Sequence, residues 1–294
     1  MMEEFFTVDS TVGDVVRNPV FDGFGRLLFP VDINIPETMT LREVSTSRTF
    51  LWYSDIHPDK TVEIVNELYY RVENGERIYY PIYSEDEIRK NPERRNTGLF
   101  FLRGNPKEKF AVLNAGGGFF YVAAMHDSFP HALELCRKGY NAFVMIYRPE
   151  TPWQDLGRAI CFIEDHAEKL GVDPCGYSLW GGSAGARMAA VLGNSEYQRQ
   201  ITGRELPRAG AVIMQYTGYD AVSRYDAPTY ACVGTSDGIA WWGGMKKRLQ
   251  KLNRLGVPTE FHAYSGLRHG FGIGTGTAAE GWIDDAVRFW EKNA

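Results

Sequence analysis

The sequence predicts an α/β protein built on a mostly parallel, doubly wound sheet of about eight strands with helices on both faces. Three observations carry that prediction. Short apolar runs bounded by turn residues recur at 78–83, 99–102, 110–114, 142–147, 177–180, 209–215, 230–233 and 259–263. Helix-length stretches at 129–138, 153–170, 184–192, 241–255 and 278–291 separate the later runs, and such alternation favours parallel pairing under helical cover. Glycine-rich segments bearing Ser, Asp and His follow several of the runs directly, where an open α/β sheet presents its ligand crevice.

Before this region the pattern differs. Residues 1–60 are rich in proline and irregular, with Asn18-Pro19, Phe29-Pro30 and Ile35-Pro36 as breakers before an apolar segment at 48–53. They read as an N-terminal arm attached to a catalytic domain over 61–294. In 60–73, Val62, Ile64, Val65, Leu68, Tyr69 and Val72 recur near helical spacing and Asn74-Gly75 supplies a stop.

Composition narrows the function classes. At 294 residues, 44% hydrophobic and 23% charged, the chain can bury a full core. A net charge of -5 without any Lys/Arg-rich run argues against nucleic acid as a partner. No window reaches the roughly 18 apolar residues of a membrane span, and Glu3 and Glu4 stand where a secretion signal carries positive charge, so a cytoplasmic location is expected. The four cysteines, Cys136, Cys161, Cys175 and Cys232, lack metal or redox spacing and read as reduced core thiols. No cofactor and no metal is expected; self-association is left open.

The nucleophile candidate is Ser183. Tyr177–Trp180 is an apolar run, Gly181-Gly182-Ser183-Ala184-Gly185 a tight turn, and the Ala-rich residues after it a helix start. Glycines two places either side of a serine remove the Cβ atoms that would clash in a sharp strand-to-helix turn, and the following helix directs N–H groups at an oxyanion. A second donor source follows the run 110–114, where Gly116-Gly117-Gly118 lets the backbone turn its amides toward a ligand. Gly117, Gly118 and Ala184 are the expected oxyanion hole. Neither a Gly-x-Gly-x-x-Gly leading into a helix nor a Walker lysine is present, which disfavours nucleotide binding.

In the order Ser, acid, His, the bases left after Ser183 are His262 and His269. His269 is preferred because it sits in the glycine-bracketed loop Gly266–Gly272, whereas His262 lies inside a strand run. Asp237 is the preferred acid, since it follows the run 230–233 within a few residues; Asp220 is held in reserve. Asp237 has a competing structural reading, as the cap of a helix starting near Ile239.

With Gly116-Gly117-Gly118-Phe119, Gly181-Gly182-Ser183-Ala184-Gly185, Ser236-Asp237-Gly238 and Arg268-His269-Gly270-Phe271 in that order, the chain resembles α/β-hydrolase esterases over about 95–292, closest in look to acetyl esterase, xylan-esterase and feruloyl-esterase-like members related to the hormone-sensitive-lipase group. The resemblance implies the α/β-hydrolase fold, an acyl-enzyme on Ser183, and supporting roles for Tyr147-Arg148-Pro149 and for Asp155 behind the elbow. Two departures stand out. Ala115 occupies the place of the histidine in that group's His-Gly-Gly-Gly pattern, so that group's loop anchoring is absent, and the dozen or so residues between runs 209–215 and 230–233 are too few for a large inserted cap. The arm is the expected cover instead.

The expected activity is carboxylic-ester hydrolysis on small-molecule acyl esters, above all acetylated sugars or oligosaccharides. Phe119, Tyr216 and Trp241 are the candidate substrate-binding residues, drawn from an aromatic set that also holds Phe120, Tyr121, Tyr219 and Trp242. Amide or peptide hydrolysis on the same triad, and a non-catalytic binding protein on a hydrolase scaffold, are the alternatives.

Overall fold

The computed structural model describes residues 5–46 and 50–294. Eight strands form one sheet: β1 (Tyr79–Tyr80), β2 (Gly98–Leu102), β3 (Lys109–Asn114), β4 (Asn141–Ile146), β5 (Asp173–Gly182), β6 (Ala211–Gln215), β7 (Thr229–Gly234) and β8 (Thr259–Tyr264). Each falls on one of the apolar runs. Their order is β1-β2-β4-β3-β5-β6-β7-β8, antiparallel at β1/β2 and β2/β4 and parallel from β4 to β8. Strands β2, β4, β6 and β7 are buried along their whole length, as strands covered on both faces must be. β1 is shorter than its run because Pro81 offers no N–H to the ladder.

β3 lies between β4 and β5, so the chain leaves it to one side and returns on the other. The loops after β3 and β5 therefore diverge and open a crevice at their carboxyl ends. The glycine loop Gly116-Gly117-Gly118 follows β3 and Ser183 follows β5.

Several helices differ in extent from their sequence patterns. The stretch 153–170 divides into Pro152–Asp165 and Ala167–Leu170, because His166 leaves helical geometry at φ -120° and its Nδ1 meets the Phe162 carbonyl at 2.8 Å. The last helix is Trp282–Asn293, starting after Gly281 at φ 85°. The others, Pro58–Glu73, Phe129–Arg137, Ala184–Leu192 and Trp242–Arg254, lie within two residues of expectation. No helix interrupts the connection from β6 to β7, so the site carries no inserted cap there.

The irregular reading of the arm is corrected. It contains the helices Val12–Val16 and Leu41–Thr46, and Phe6, Val12, Val15, Phe21, Leu28 and Val44 are buried in the same core as the sheet. Asn66, on the helix Pro58–Glu73, accepts the amides of Phe5 and Phe6 and returns a bond to the Phe6 carbonyl. In the apolar segment 48–53, Arg48 and Thr49 lie outside the described residues, as do Glu3 and Glu4. The thiol reading is corrected too: Cys232 is buried, Cys136 and Cys161 are half-buried, and Cys175 is exposed. Among the described residues no helix is long and apolar enough to cross a membrane.

Candidate active site

Ser183 occupies a strained backbone position, φ 52° and ψ -114°, between β5 and the helix Ala184–Leu192. The flanking glycines have the steric cause their spacing suggested. A Cβ on Gly181 would fall 2.2 Å from the Gly185 carbonyl carbon, and one on Gly185 would fall 1.9 Å from the Asn114 oxygen. The turn can close this tightly against β3 only without those atoms.

His269 reaches the serine from the loop after β8, its Nε2 3.0 Å from Ser183 Oγ. On its other side Nδ1 lies 2.7 Å from Asp237 Oδ2. The Asp237 side chain is fully buried and that of His269 7% exposed, so water does not compete for the pair. This orientation makes Nε2 the acceptor facing the hydroxyl. The capping reading of Asp237 holds in one respect and fails in another: Oδ1 accepts the amides of Ile239 and Ala240 at 2.8 Å each, but the helix begins at Trp242, so the carboxylate closes the turn before it.

The glycine loop after β3 brings its backbone beside the same hydroxyl. A Cβ on Gly116 would fall 2.9 Å from Ser183 Cβ. The Gly116 amide is engaged by Asp127 Oδ2 at 2.8 Å. Among the described residues the amides of Gly117, Gly118 and Ala184 donate to no protein acceptor, and they remain available to a ligand oxygen. Gly117, at φ +122°, has no room for a side chain, since its Cβ would sit 2.0 Å from the Tyr121 carbonyl.

The loop is anchored by groups other than the histidine whose place Ala115 takes. The Tyr147 hydroxyl donates to the Ala115 carbonyl at 2.8 Å, Asp127 holds Gly116, and the Tyr121 hydroxyl donates to the Leu51 carbonyl at 2.7 Å. Tyr147 is steadied by its neighbour Arg148, whose Nε and Nη2 donate to the two oxygens of the fully buried Asp155 at 2.9 and 2.5 Å, with the Arg148 amide and the Tyr83 hydroxyl as further donors at 2.9 and 2.7 Å.

The substrate-binding candidates separate. Phe119 is half-buried beside the amides and packs on Trp153 at 5.0 Å. Trp241 is 61% exposed, with Lys247 Nζ 5.0 Å from its ring. Tyr216 is a correction: it is fully buried, its hydroxyl is donated to Asp127 at 2.5 Å and its ring lies 4.9 Å from His269, so it backs the histidine and offers no surface to a substrate.

Sequence reasoning missed Trp52, Tyr53, Asp127, Trp153 and Arg187. The Tyr53 hydroxyl donates to Asp127 Oδ2 at 2.9 Å, Ser54 Oγ donates to the His269 carbonyl at 2.9 Å, and the Trp52 indole stands where a Cβ on Gly118 would meet it at 3.2 Å. Arg187, one turn beyond Ser183, spans the rings of Trp153 and Tyr219 at 5.8 and 5.9 Å. A signal existed for Asp127, a charged residue that closely follows the apolar stretch 121–125. Of the five non-glycine residues at positive φ among those described, Trp52, Phe119 and Ser183 stand at this site and Tyr216 behind its histidine, and Lys107 is the exception. Strain of that kind concentrates where function over-determines the backbone.

Burial sets the electrostatics. It pushes the Asp127 carboxyl up to about 6, against hydrogen bonds from Tyr216, Gly116 and Tyr53 and the charge of His269. Burial raises the hydroxyls of Tyr53 and Tyr216 well above the ordinary tyrosine range, with the Asp127 charge adding to it. Nearby, a cavity of about 290 Å³ is lined by Tyr53, His57, His126, Gly270 and Ile273. Its lining includes neither Ser183 nor the three amides, so a scissile carbonyl would bind elsewhere, in the open crevice above β3 and β5.

Residues 103–246 match the BD-FAE family model. Over 101 residues, 31% of this chain, the sequence is 27% identical to endo-1,4-beta-xylanase B of Butyrivibrio fibrisolvens, and it spans 16% of that protein's length. Among solved structures, an acetyl ester-xyloside bifunctional hydrolase from Caldicellulosiruptor lactoaceticus superposes with a TM-score of 0.64 at 21% identity, covering 73% of this chain and 95% of that one. An alpha/beta hydrolase from a Medee basin deep-sea metagenome library gives 0.58 at 21% identity, covering 67% and 92%. Esterase 2 of Thermogutta terrifontis, phosphorylated by paraoxon, gives 0.59 at 18% identity, covering 73% and 93%.

Proposed function

We propose that this chain, an α/β-hydrolase by fold, is a serine carboxylic-ester hydrolase acting through an acyl-enzyme. One observation carries the reading: His269 bridges Ser183 Oγ and a buried Asp237 at 3.0 and 2.7 Å, beside three amides that have no protein acceptor among the described residues. Ser183 Oγ attacks the ester carbonyl while Nε2 of His269 takes its proton. Asp237 holds the tautomer and balances the imidazolium. The oxyanion is met by the N–H groups of Gly117, Gly118 and Ala184, each such donor typically worth about 2.7–4 kcal/mol in the transition state. The tetrahedral adduct expels the alcohol, which receives the proton from His269, and water then releases the acid by the same steps in reverse roles. Labelling by a fluorophosphonate tests this: Ser183 should be modified and Ser183→Ala should not. A chain that hydrolyses p-nitrophenyl acetate without labelling at Ser183 would refute it.

The substrates proposed are small acyl esters, above all acetylated sugars or oligosaccharides. Exposed aromatic side chains beside the amides, Trp52 at 41% and Phe120 at 72%, support a ring-bearing alcohol. So does the fold shared with a hydrolase described as acting on acetyl esters and xylosides. A panel of acetyl, butyryl, feruloyl and acetyl-xylose esters tests it, with the highest kcat/KM expected for acetyl-xylose.

The arm is proposed as the cover of the site. Leu51, Tyr53 and Ser54 bond to the oxyanion loop, Asp127 and the His269 loop, and these contacts support the reading. Deleting the arm would remove core residues, so the informative variant is Trp52→Ala. It should lower kcat/KM for sugar esters while leaving ethyl acetate nearly unchanged; equal rates on both would count against a covering role.

A further inference from the structure

We infer that Asp127 is a positioning residue for this site, a single buried carboxylate that fixes the oxyanion loop, the N-terminal arm and the aromatic ring behind His269 in one arrangement. The inference rests on the serine-hydrolase reading above. Asp127 ends the short helix Ala124–Asp127 and is 3% exposed. Its Oδ2 accepts the Gly116 amide at 2.8 Å and the Tyr53 hydroxyl at 2.9 Å, and its Oδ1 accepts the Tyr216 hydroxyl at 2.5 Å.

Each donor governs a different wall. Gly116 immediately precedes Gly117 and Gly118, so fixing its amide sets the direction of the next two. Tyr53 lies between Trp52, whose indole stands against Gly118, and Ser54, whose hydroxyl holds the His269 carbonyl. Tyr216 presents its ring to His269 at 4.9 Å. The carboxylate is also packed on the elbow, since a Cβ on Gly182 would fall 2.4 Å from Oδ2.

Only an ionised carboxylate satisfies this set. Three donors converge on two oxygens, whereas an asparagine has one acceptor and turns an NH₂ toward a donor. Leaving a buried donor unpaired is costly, and the loop would shift to recover a partner. A misplacement of about 1 Å costs on the order of a hundredfold in rate.

The carboxylate also adds a charge. The groups facing Asp127 are Tyr53 from the arm, Tyr121 from the oxyanion loop, Tyr147 after β4, Tyr216 after β6 and His269 after β8. His269 is the one among them that becomes cationic during turnover, and a negative Asp127 favours that form. The Tyr53 and Tyr216 bonds hold the Asp127 carboxyl below where burial alone would put it. Removing either hydroxyl therefore raises it and moves an acidic limb set by Asp127 to higher pH.

The test uses Asp127→Asn, Tyr53→Phe and Tyr216→Phe in the full chain, with p-nitrophenyl acetate kinetics from pH 5 to 9, fluorophosphonate labelling and thermal melting. Asp127→Asn should lose roughly 10–100-fold in kcat with KM within about threefold, and labelling should slow in parallel. Tyr53→Phe and Tyr216→Phe should each lose a few-fold in kcat and shift the acidic limb upward. Folded Asp127→Asn with wild-type kcat would overturn the inference. Should Asp127→Asn not fold, the two phenylalanine variants decide, and wild-type kcat in both overturns it. A wild-type chain that neither labels nor turns over would refute the underlying hydrolase reading instead.

Discussion

Asp237 serves His269 with one oxygen and the backbone with the other: Oδ2 meets Nδ1 at 2.7 Å, and Oδ1 accepts the amides of Ile239 and Ala240. The two duties can be separated. Asp237→Asn keeps an acceptor for the turn but turns an NH₂ toward Nδ1, which forces the tautomer with its proton on Nε2. That nitrogen can no longer accept from Ser183, so kcat should fall about 10⁴-fold with little change in melting. Asp237→Ala removes both and should cost a further stability loss of about 1 kcal/mol. Turnover of p-nitrophenyl acetate and urea denaturation of the pair check this; an active Asp237→Asn would remove Asp237 from the mechanism.

Ser183→Ala probes the proposed nucleophile. Ser183 is half-buried and its hydroxyl bonds only to His269 among the described residues, so the substitution leaves the core untouched. The fold should melt as before while kcat drops on the order of a million-fold. Retention of most activity would end the acyl-enzyme reading.

Much of this was legible in the sequence because burial writes itself into composition. Strands such as β4 and β7, covered on both faces, read as unbroken apolar runs, and the glycines flanking Ser183 are dictated by contacts under 2.5 Å. The arm was less legible. Its helices Val12–Val16 and Leu41–Thr46 span five and six residues, too short for a periodic pattern to emerge. Tyr53 and Asp127 meet across 74 positions, and no local rule pairs a tyrosine with an aspartate at that distance. Tyr216 misled for a related reason: an aromatic residue after a strand looks the same whether its hydroxyl faces solvent or a buried carboxylate.

Arg148 and Asp155 form a buried pair whose breaking should be severe. Their side chains are 9% and 0% exposed, and the carboxylate depends on the guanidinium for two of its donors. Arg148→Met leaves Asp155 charged and under-paired, at a cost of about 3–5 kcal/mol. Replacing both, as Arg148→Met with Asp155→Leu, should recover most of that, because the stranded charge is gone. Urea midpoints of the single and double variants test it, and a double variant no better than the single would show that the pair is not the source of the loss.

Two buried histidines should each take stability away as pH falls below about 6.5. Burial pushes His126 down to about 3 and His131 to about 4, the latter partly offset by its bond to Gln215. As pH falls below 6.5 the unfolded chain binds protons at both and the folded chain does not, so stability present at neutral pH is lost. The full losses are about 5 and about 3 kcal/mol. Asp127 acts oppositely: raised to about 6, it is protonated in the fold before it is in the unfolded chain, and it adds stability as pH falls from 6 toward 4, up to about 3 kcal/mol. Glu164, raised to about 7, and Asp32, raised to about 6, both by burial, act in the same direction as Asp127, so the histidine contribution is read from a histidine variant. His126 Nε2 has no hydrogen-bond partner among the described residues, and its ring packs edge-on against Phe50 at 4.4 Å, so His126→Leu removes the proton linkage without breaking a bond there. Relative to wild type, that variant should gain roughly 2–3 kcal/mol more at pH 4.5 than at pH 8. Urea denaturation at the two pH values measures the difference, and an equal change at both would mean that His126 takes up its proton in the fold as readily as in the unfolded chain.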